Sequence, residues 1–138
     1  MYKFYAFLNR MKYIRRWSLM RSVREENIME HSQQVSVIAH ALALINNKIL
    51  GGDVDVNKVV LLAQYHEVGE VITGDLPTPI KYFNPEIKNA YKDLEKGASE
   101  KLLNMLPETL KEEYREYILP DEQTYEYKLV KAADRLSA

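Results

Sequence analysis

The chain contains three histidines and no cysteine, so any metal it binds must be held by imidazole and carboxylate groups rather than thiolates. His31 lies four residues before Val35 and seven before Ile38, which puts it on the apolar stripe of its own helical segment. His66 follows Leu62 by four and also points inward. His40 falls about 200° from Ile38 at 3.6 residues per turn and faces away. A single inward histidine is most often a hydrogen-bonded core residue. Two of them, on two different segments, suggest a shared site.

Carboxylates strengthen that suggestion. At about 100° per residue, His66, Glu67 and Glu70 share one face of a continuous helix. Acids beside an inward histidine are costly to bury unless a cation balances them. Asp134 is a fourth candidate, set among Val130, Ala132 and Ala133, where an ordinary surface acid is the default alternative. Two histidines and two carboxylates make a nitrogen and oxygen donor set suited to Mn, Fe, Co, Ni or Zn. An ion of this kind can polarise a phosphoryl oxygen and lower the pKa of a water. Glu70 lies on the donor face without being needed as a donor, and is the natural general base.

These groups must be positioned by helices. With 138 residues, 46% of them hydrophobic and only five Gly and five Pro, the composition fits one all-α domain over residues 1–138. Phe4, Phe7, Leu8 and Met11 predict a helix from residue 2 to about 13. A basic loop with Arg15, Arg16 and Trp17 follows. The next helix is predicted over about 30–49, with Val35, Ile38, Leu42, Ile45 and Ile49 as its stripe and Gly51-Gly52 as its stop. Asn57 would cap a third helix reaching about residue 71. Thr73-Gly74-Asp75 ends it, and Leu76-Pro77-Thr78-Pro79 is too proline-rich for regular structure. Pro85 opens a long helix to about 106, Pro107 a shorter one, and Asp121 or Thr124 the last. That makes about six helices, with no segment alternating long enough to be a strand.

Charge and hydropathy exclude some partners. The longest apolar runs, such as residues 59–63, are far short of the roughly 20 residues a membrane helix needs. The first residues do not read as a signal peptide, so a cytoplasmic protein is expected. Lys3, Arg10, Lys12, Arg15, Arg16, Arg21 and Arg24 precede the first acid, although the whole chain has a net charge of −1. This basic segment points to an anion or is simply a solvated face. Nucleic-acid binding would need more aromatic interleaving, so no nucleic-acid or membrane partner is expected.

The order His31, His66-Glu67, Asp134 resembles the H…HD…D signature of HD-domain phosphohydrolases. More narrowly, Arg15-Arg16-Trp17-Ser18-Leu19-Met20-Arg21, Glu30-His31-Ser32 and the run from Tyr65-His66-Glu67 through Thr73-Gly74-Asp75-Leu76-Pro77-Thr78-Pro79-Ile80-Lys81-Tyr82 resemble the 5′-deoxynucleotidases of the YfbR type. The likeness spans essentially the whole chain, and the proline-flanked segment is its most specific part. It implies an HD-domain helical bundle, usually a homodimer, with one divalent cation (Co, Mn, Zn, Fe or Ni) on His31, His66, Glu67 and Asp134. It implies a deoxyribonucleoside 5′-monophosphate as substrate. Arg16 would orient the phosphate, and Trp17 would pack where a ribose 2′-hydroxyl projects. Asp75 would accept from the 3′-hydroxyl, and Leu76, Pro77 and Thr78 would line the nucleotide, with His31, Glu67 and Asp134 also on the substrate side. An arginine fork suits a phosphate, and a bulky indole can exclude a hydroxyl.

Two departures accompany the likeness. Glu67 stands where the signature has Asp, one methylene longer. The chain stops at Ala138, one turn beyond Asp134, where relatives continue; a truncated domain without the C-terminal helices of the family is therefore expected. Two other functions stay open at this point: a non-catalytic nucleotide-binding or regulatory HD module, and a hydrolase of another nucleotide phosphoester.

Overall fold

A computed structural model describes residues 2–138. Its longest element is α2, Ile28–Lys48, which starts two residues earlier than the sequence predicts because Asn27 rather than a later residue caps it. The Asn27 side chain accepts from the Glu30 backbone N–H at 2.8 Å and donates to the Glu30 carboxylate at 3.1 Å, closing a reciprocal cap. Before it, α1 covers Tyr2–Asn9 and tightens into a 3-10 turn, Arg10–Tyr13, so the predicted first helix divides in two.

Helix α3 is Val56–Tyr65, capped by Asp55 rather than Asn57, whose carboxylate accepts from the Lys58 N–H at 3.1 Å. It ends well before residue 71. The chain then makes successive i to i+3 turns, and Glu70–Thr73 forms a one-turn helix, α4. Gly74, with φ of 75°, takes the left-handed step that turns the chain into the Asp75 loop. A second one-turn helix, α5, forms at Thr78–Lys81, where the prolines had predicted irregular backbone; Pro79 sits in its first turn, where no amide bond is lost. Helix α6 is Pro85–Leu103, capped by Asn84 and shorter at its end than predicted. Helix α7 is Glu108–Ile118, and α8 is Tyr125–Ser137, capped by Thr124. The six longer helices match the expected number. Among the described residues there is no strand, only one antiparallel bridge between Arg15 and Asn27.

Two apolar clusters hold these elements. One gathers Val35, Ala39, Ala43, Val59, Leu62, Ala63, Val130 and Ala133 where α2, α3 and α8 pack together. The other gathers Phe4, Met11, Ile28, Val68, Val71, Leu102, Leu103 and Ile118 from the N-terminal turns, the start of α2, the segment after α3, and helices α6 and α7. Burying a side chain such as Phe4, Ile28 or Leu102 completely contributes about 2 kcal/mol each. The buried stripe of α2 is rotated from the predicted one. Ala39 and Ala43 are fully buried, whereas Ile45 and Ile49 are 42% and 73% exposed. Small residues at the helix contact let α3 and α8 approach closely, which leaves the bulkier positions outside. The chain crosses from one cluster to the other at His31 on α2 and at His66 after α3. Both histidines therefore sit at the seam.

Candidate active site

His31 is fully buried on α2, three residues after the Ile28 that anchors the helix in one cluster and four before the Val35 that anchors it in the other. Its Nε2 meets Asp134 Oδ1 of α8 at 2.8 Å. His66 occupies the C-cap of α3, and its ring lies 5.4 Å from that of His31 between centroids. The His66 Nδ1–H donates to the Ala63 carbonyl at 2.5 Å, which fixes the ring and turns Nε2 toward the acids. That Nε2 stands 3.3 Å from Glu67 Oε1 and 3.8 Å from Asp134 Oδ1, off line for a hydrogen bond, and is buried without a partner. One donor atom from each of His31, His66, Glu67 and Asp134 lies within 4.8 Å of all the others.

This arrangement fits a cation. Donors held at about 2.1 Å in a tetrahedral site stand about 3.4 Å apart, and the separations of 2.8, 3.3 and 3.8 Å bracket that value. A buried ring nitrogen without a hydrogen-bond partner is costly unless a cation or a proton engages it. The extra methylene of Glu67 does not prevent its carboxylate from reaching the cluster.

Glu70 is brought in by a different backbone than predicted. Between Tyr65 and Val71 the bonds run i to i+3, with Glu70 N–H donating to the Glu67 carbonyl at 3.1 Å, and in such turns residues three apart eclipse. Glu70 therefore stacks on Glu67. Burial, then a hydrogen bond donated to Glu67 and the Glu67 charge, push the Glu70 carboxyl up to about 11. Burial alone would raise Glu67 as well, but the bond from Glu70 and the contact with His66 hold it below the usual carboxylate range. Burial also disfavours a charged His66, yet the Asp134 and Glu67 carboxylates beside Nε2 outweigh that and raise it to about 9. Asp134 is likewise drawn well below the ordinary range, burial being outweighed by His31 and His66.

The basic loop folds over this cluster. Arg16 Nη1 donates to Glu26 at 2.8 Å and to His31 Nδ1 at 2.8 Å. The Arg16 guanidinium lies over the Trp17 ring, 4.7 Å from its centroid. Asp75 reaches the same place: burial and then the charge of Glu67 push its carboxyl up, while Arg16, Lys81 and the Trp17 backbone N–H pull it down. Arg16, Trp17, Asp75 and the four donors are thus brought together. Leu76 and Pro77 are half-buried in the loop after Gly74, and Thr78 is exposed at the start of α5. Among the described residues none of these three hydrogen-bonds to the cluster. A cleft of about 510 Å³ opens beside His66, Glu67 and Glu70, with Lys81, Glu95 and Tyr127 on its other walls. His40 is exposed, as its helical angle predicts.

Three groups at the site carry no role in the sequence reading. Glu26 bonds both Arg16 and Trp17, and Ser137 Oγ stands 3.3 Å from His31 Nδ1. Lys81 pairs with Glu95 at 2.8 Å on the cleft wall. Glu26 gives only a faint signal in the sequence, as one of the first two acids after the basic segment. Ser137 gives one only through helical spacing, three residues after Asp134.

The YfbR-like 5′-deoxynucleotidase family model matches residues 3–138. The chain belongs to this family. A 5′-deoxynucleotidase of Vibrio vulnificus is 52% identical over 136 residues, covering 98% of this chain and 70% of that protein. One of Photorhabdus laumondii is 55% identical over 137 residues, covering 98% and 69%. The fold agrees with an HD-domain phosphohydrolase from Listeria innocua, with a TM-score of 0.85 at 23% identity, over 98% of this chain and 64% of that one. It also agrees with the PH0347 protein of Pyrococcus horikoshii, with a TM-score of 0.78 at 27% identity, over 99% and 73%. Membership in the family makes the chain an HD-type helical hydrolase, and His31, His66, Glu67 and Asp134 converge as a group that could hold a metal ion.

Proposed function

We propose that this chain is a 5′-deoxynucleotidase that hydrolyses deoxyribonucleoside 5′-monophosphates to the deoxynucleoside and inorganic phosphate. The observation that carries the reading is the convergence of His31, His66, Glu67 and Asp134 on one point, with a buried His66 nitrogen lacking a partner. A divalent cation held there (Co, Mn, Zn, Fe or Ni) supplies Lewis acidity toward a phosphoryl oxygen and makes a water more acidic.

The chain's own groups then divide the work. Arg16 engages only Nη1 with its neighbours, so its other N–H groups are available to orient a phosphate. With a cation on the four donors, whose charge would draw Glu70 to its carboxylate form, Glu70 accepts a proton from the attacking water as the water oxygen bonds to phosphorus, and returns it to the sugar 5′-oxygen as the bond from phosphorus to that oxygen breaks. Trp17 screens the sugar 2′ position, and Asp75 accepts from the 3′-hydroxyl. Leu76, Pro77 and Thr78 present the loop that lines the nucleotide. The cleft beside Glu67 and Glu70 is within the size range of small-molecule sites, and Arg16, Trp17 and Asp75 lie outside its walls.

The proposal extends to a single HD domain over residues 1–138 and to a cytoplasmic homodimer. Among the described residues no helix is long and apolar enough to cross a membrane. Light scattering on purified protein tests the dimer.

The deciding experiment measures phosphate release from dAMP, AMP, a deoxynucleoside 3′-monophosphate and a cyclic nucleotide. Protein stripped with chelator is compared with protein reloaded with each cation. Release from dAMP alone, only after reloading, is expected. Binding of dAMP without release at saturating metal would make the chain a nucleotide-binding module instead.

A further inference from the structure

We propose that Glu26 is a positioning residue that locks the phosphate-binding arginine and the sugar-screening tryptophan into one unit, so that phosphate affinity and deoxyribose selectivity depend on the same carboxylate. The inference rests on the 5′-deoxynucleotidase reading for its functional consequence, but its geometry stands alone.

One oxygen of Glu26 does both jobs. Oε2 accepts from Arg16 Nη1 at 2.8 Å and from Trp17 Nε1 at 3.2 Å. The backbone repeats the link, because Arg16 N–H donates to the Glu26 carbonyl at 2.8 Å. On either side, Arg15 bridges to Asn27, and Ile28 N–H donates to the Ile14 carbonyl at 2.9 Å. Residues 14–16 and 26–28 therefore pair as the neck of a loop, and Glu26 faces into it. Among the described residues Glu26 makes no hydrogen bond or ion pair to His31, His66, Glu67 or Asp134; it acts through Arg16 and Trp17.

The loop needs such a lock. Trp17 and Leu19 have φ of 64° and 67°, the left-handed region that bulky side chains rarely occupy. A backbone held there persists only when surrounding contacts over-determine it. The Arg16–Glu26 pair is well shielded, with side chains 14% and 16% exposed, so it is far less screened than a surface pair. By contrast, the neighbouring Arg15–Glu25 pair has side chains 73% and 75% exposed and holds nothing comparable. The stacking of the guanidinium over the indole makes Arg16 and Trp17 move together.

Trp17 is the chain's single tryptophan, so its emission reports on the lock without any turnover. Glu26→Gln keeps the shape and one oxygen that can accept both bonds but removes the charge that strengthens them, Glu26→Ala removes both bonds, and Glu26→Asp keeps the charge on a shorter arm. In Glu26→Ala the emission should move to longer wavelength and acrylamide quenching should increase, with Glu26→Gln intermediate. For Glu26→Gln on the metal-loaded enzyme, KM for dAMP should rise about ten- to a hundredfold, the loss expected with a charge-assisted hydrogen bond, while kcat changes less. The preference for dAMP over AMP should fall in parallel, and Glu26→Asp should restore part of both.

If Glu26→Ala does not fold by circular dichroism, Glu26→Gln decides. Unchanged emission, KM and sugar preference in Glu26→Gln, with the parent enzyme active, would overturn the proposal. A parent chain inactive on every nucleotide would refute the functional reading, while the fluorescence result would still judge the lock.

Discussion

Arg16 Nη1 stands 2.8 Å from His31 Nδ1, and because a guanidinium only donates, that imidazole nitrogen must be accepting. The ring proton is therefore on Nε2, where it meets Asp134 Oδ1 at 2.8 Å. A cation on Nε2 needs the proton on Nδ1 instead. Ser137 Oγ, 3.3 Å away, can accept it there, since its own proton goes to the Asp134 carbonyl at 2.9 Å. Arg16 and Ser137 thus favour opposite tautomers. Arg16→Met should bind a divalent cation about tenfold more tightly while losing dAMP affinity. Ser137→Ala should bind the cation about tenfold more weakly, the scale on which partners of metal-bound histidines act. Titration calorimetry on stripped protein checks both, and affinities moving in the same direction would contradict the tautomer argument.

Glu70 separates the proton-transfer role from the metal-holding role. It lies one tight turn from Glu67 and outside the four converging donors. Glu70→Ala should reduce kcat at least about a hundredfold, in the range general bases contribute, and leave bound metal unchanged by elemental analysis. Loss of the metal would instead place Glu70 in the donor set.

Local patterning made some of this legible and not the rest. His31 and His66 are readable as inward because Val35 and Leu62 are one turn away on the same face. The partnership of His31 with Asp134 is not, since it joins residues 103 apart and depends on how α2 and α8 pack. Only the resemblance pointed to it. The segment from His66 to Val71 was predicted as continuous helix on apolar spacing, but Gly69 and the cap at His66 let it tighten into three-residue turns. The residues named from the sequence meet, but through a different backbone geometry. Ile45 and Ile49 fit a periodic stripe as well as Ala39 and Ala43 do, and the choice between them is made by tertiary packing, which favours the small residues.

Trp17 holds an unfavourable backbone at the place where sugar discrimination is proposed. Trp17→Ala should lower the ratio of kcat/KM for dAMP over AMP by about tenfold or more, because steric exclusion is lost and an open pocket rejects one hydroxyl weakly. Thermal melts separate this from general damage: alanine keeps the Cβ that makes a positive φ unfavourable, so any fall in the melt reports lost packing alone. An unchanged ratio with an unchanged melt would remove Trp17 from the specificity argument.

The metal-free cluster should make stability fall as pH rises. His66 is raised from 6.5 to about 9, and Glu70 is raised further above its own ordinary value, so between these limits the folded chain holds protons that the unfolded chain has released. A folded-state pKa raised above the unfolded one gives stability that is complete below the unfolded value and lost on approaching the folded value. In chelator, the unfolding free energy should therefore decline steadily from pH 6.5 to 9, by up to about 1.4 kcal/mol per pH unit for each proton, and the melting temperature should fall with it. With a divalent cation present, the His66 nitrogen is engaged without a proton and that share of the decline disappears. Mass action adds about 2.7 kcal/mol at a hundred times Kd. Melts at pH 6.5 and 9, with chelator and with metal, check both statements. A chelated protein more stable at pH 9 than at 6.5 would mean that His66 and Glu70 do not hold their protons in the folded state.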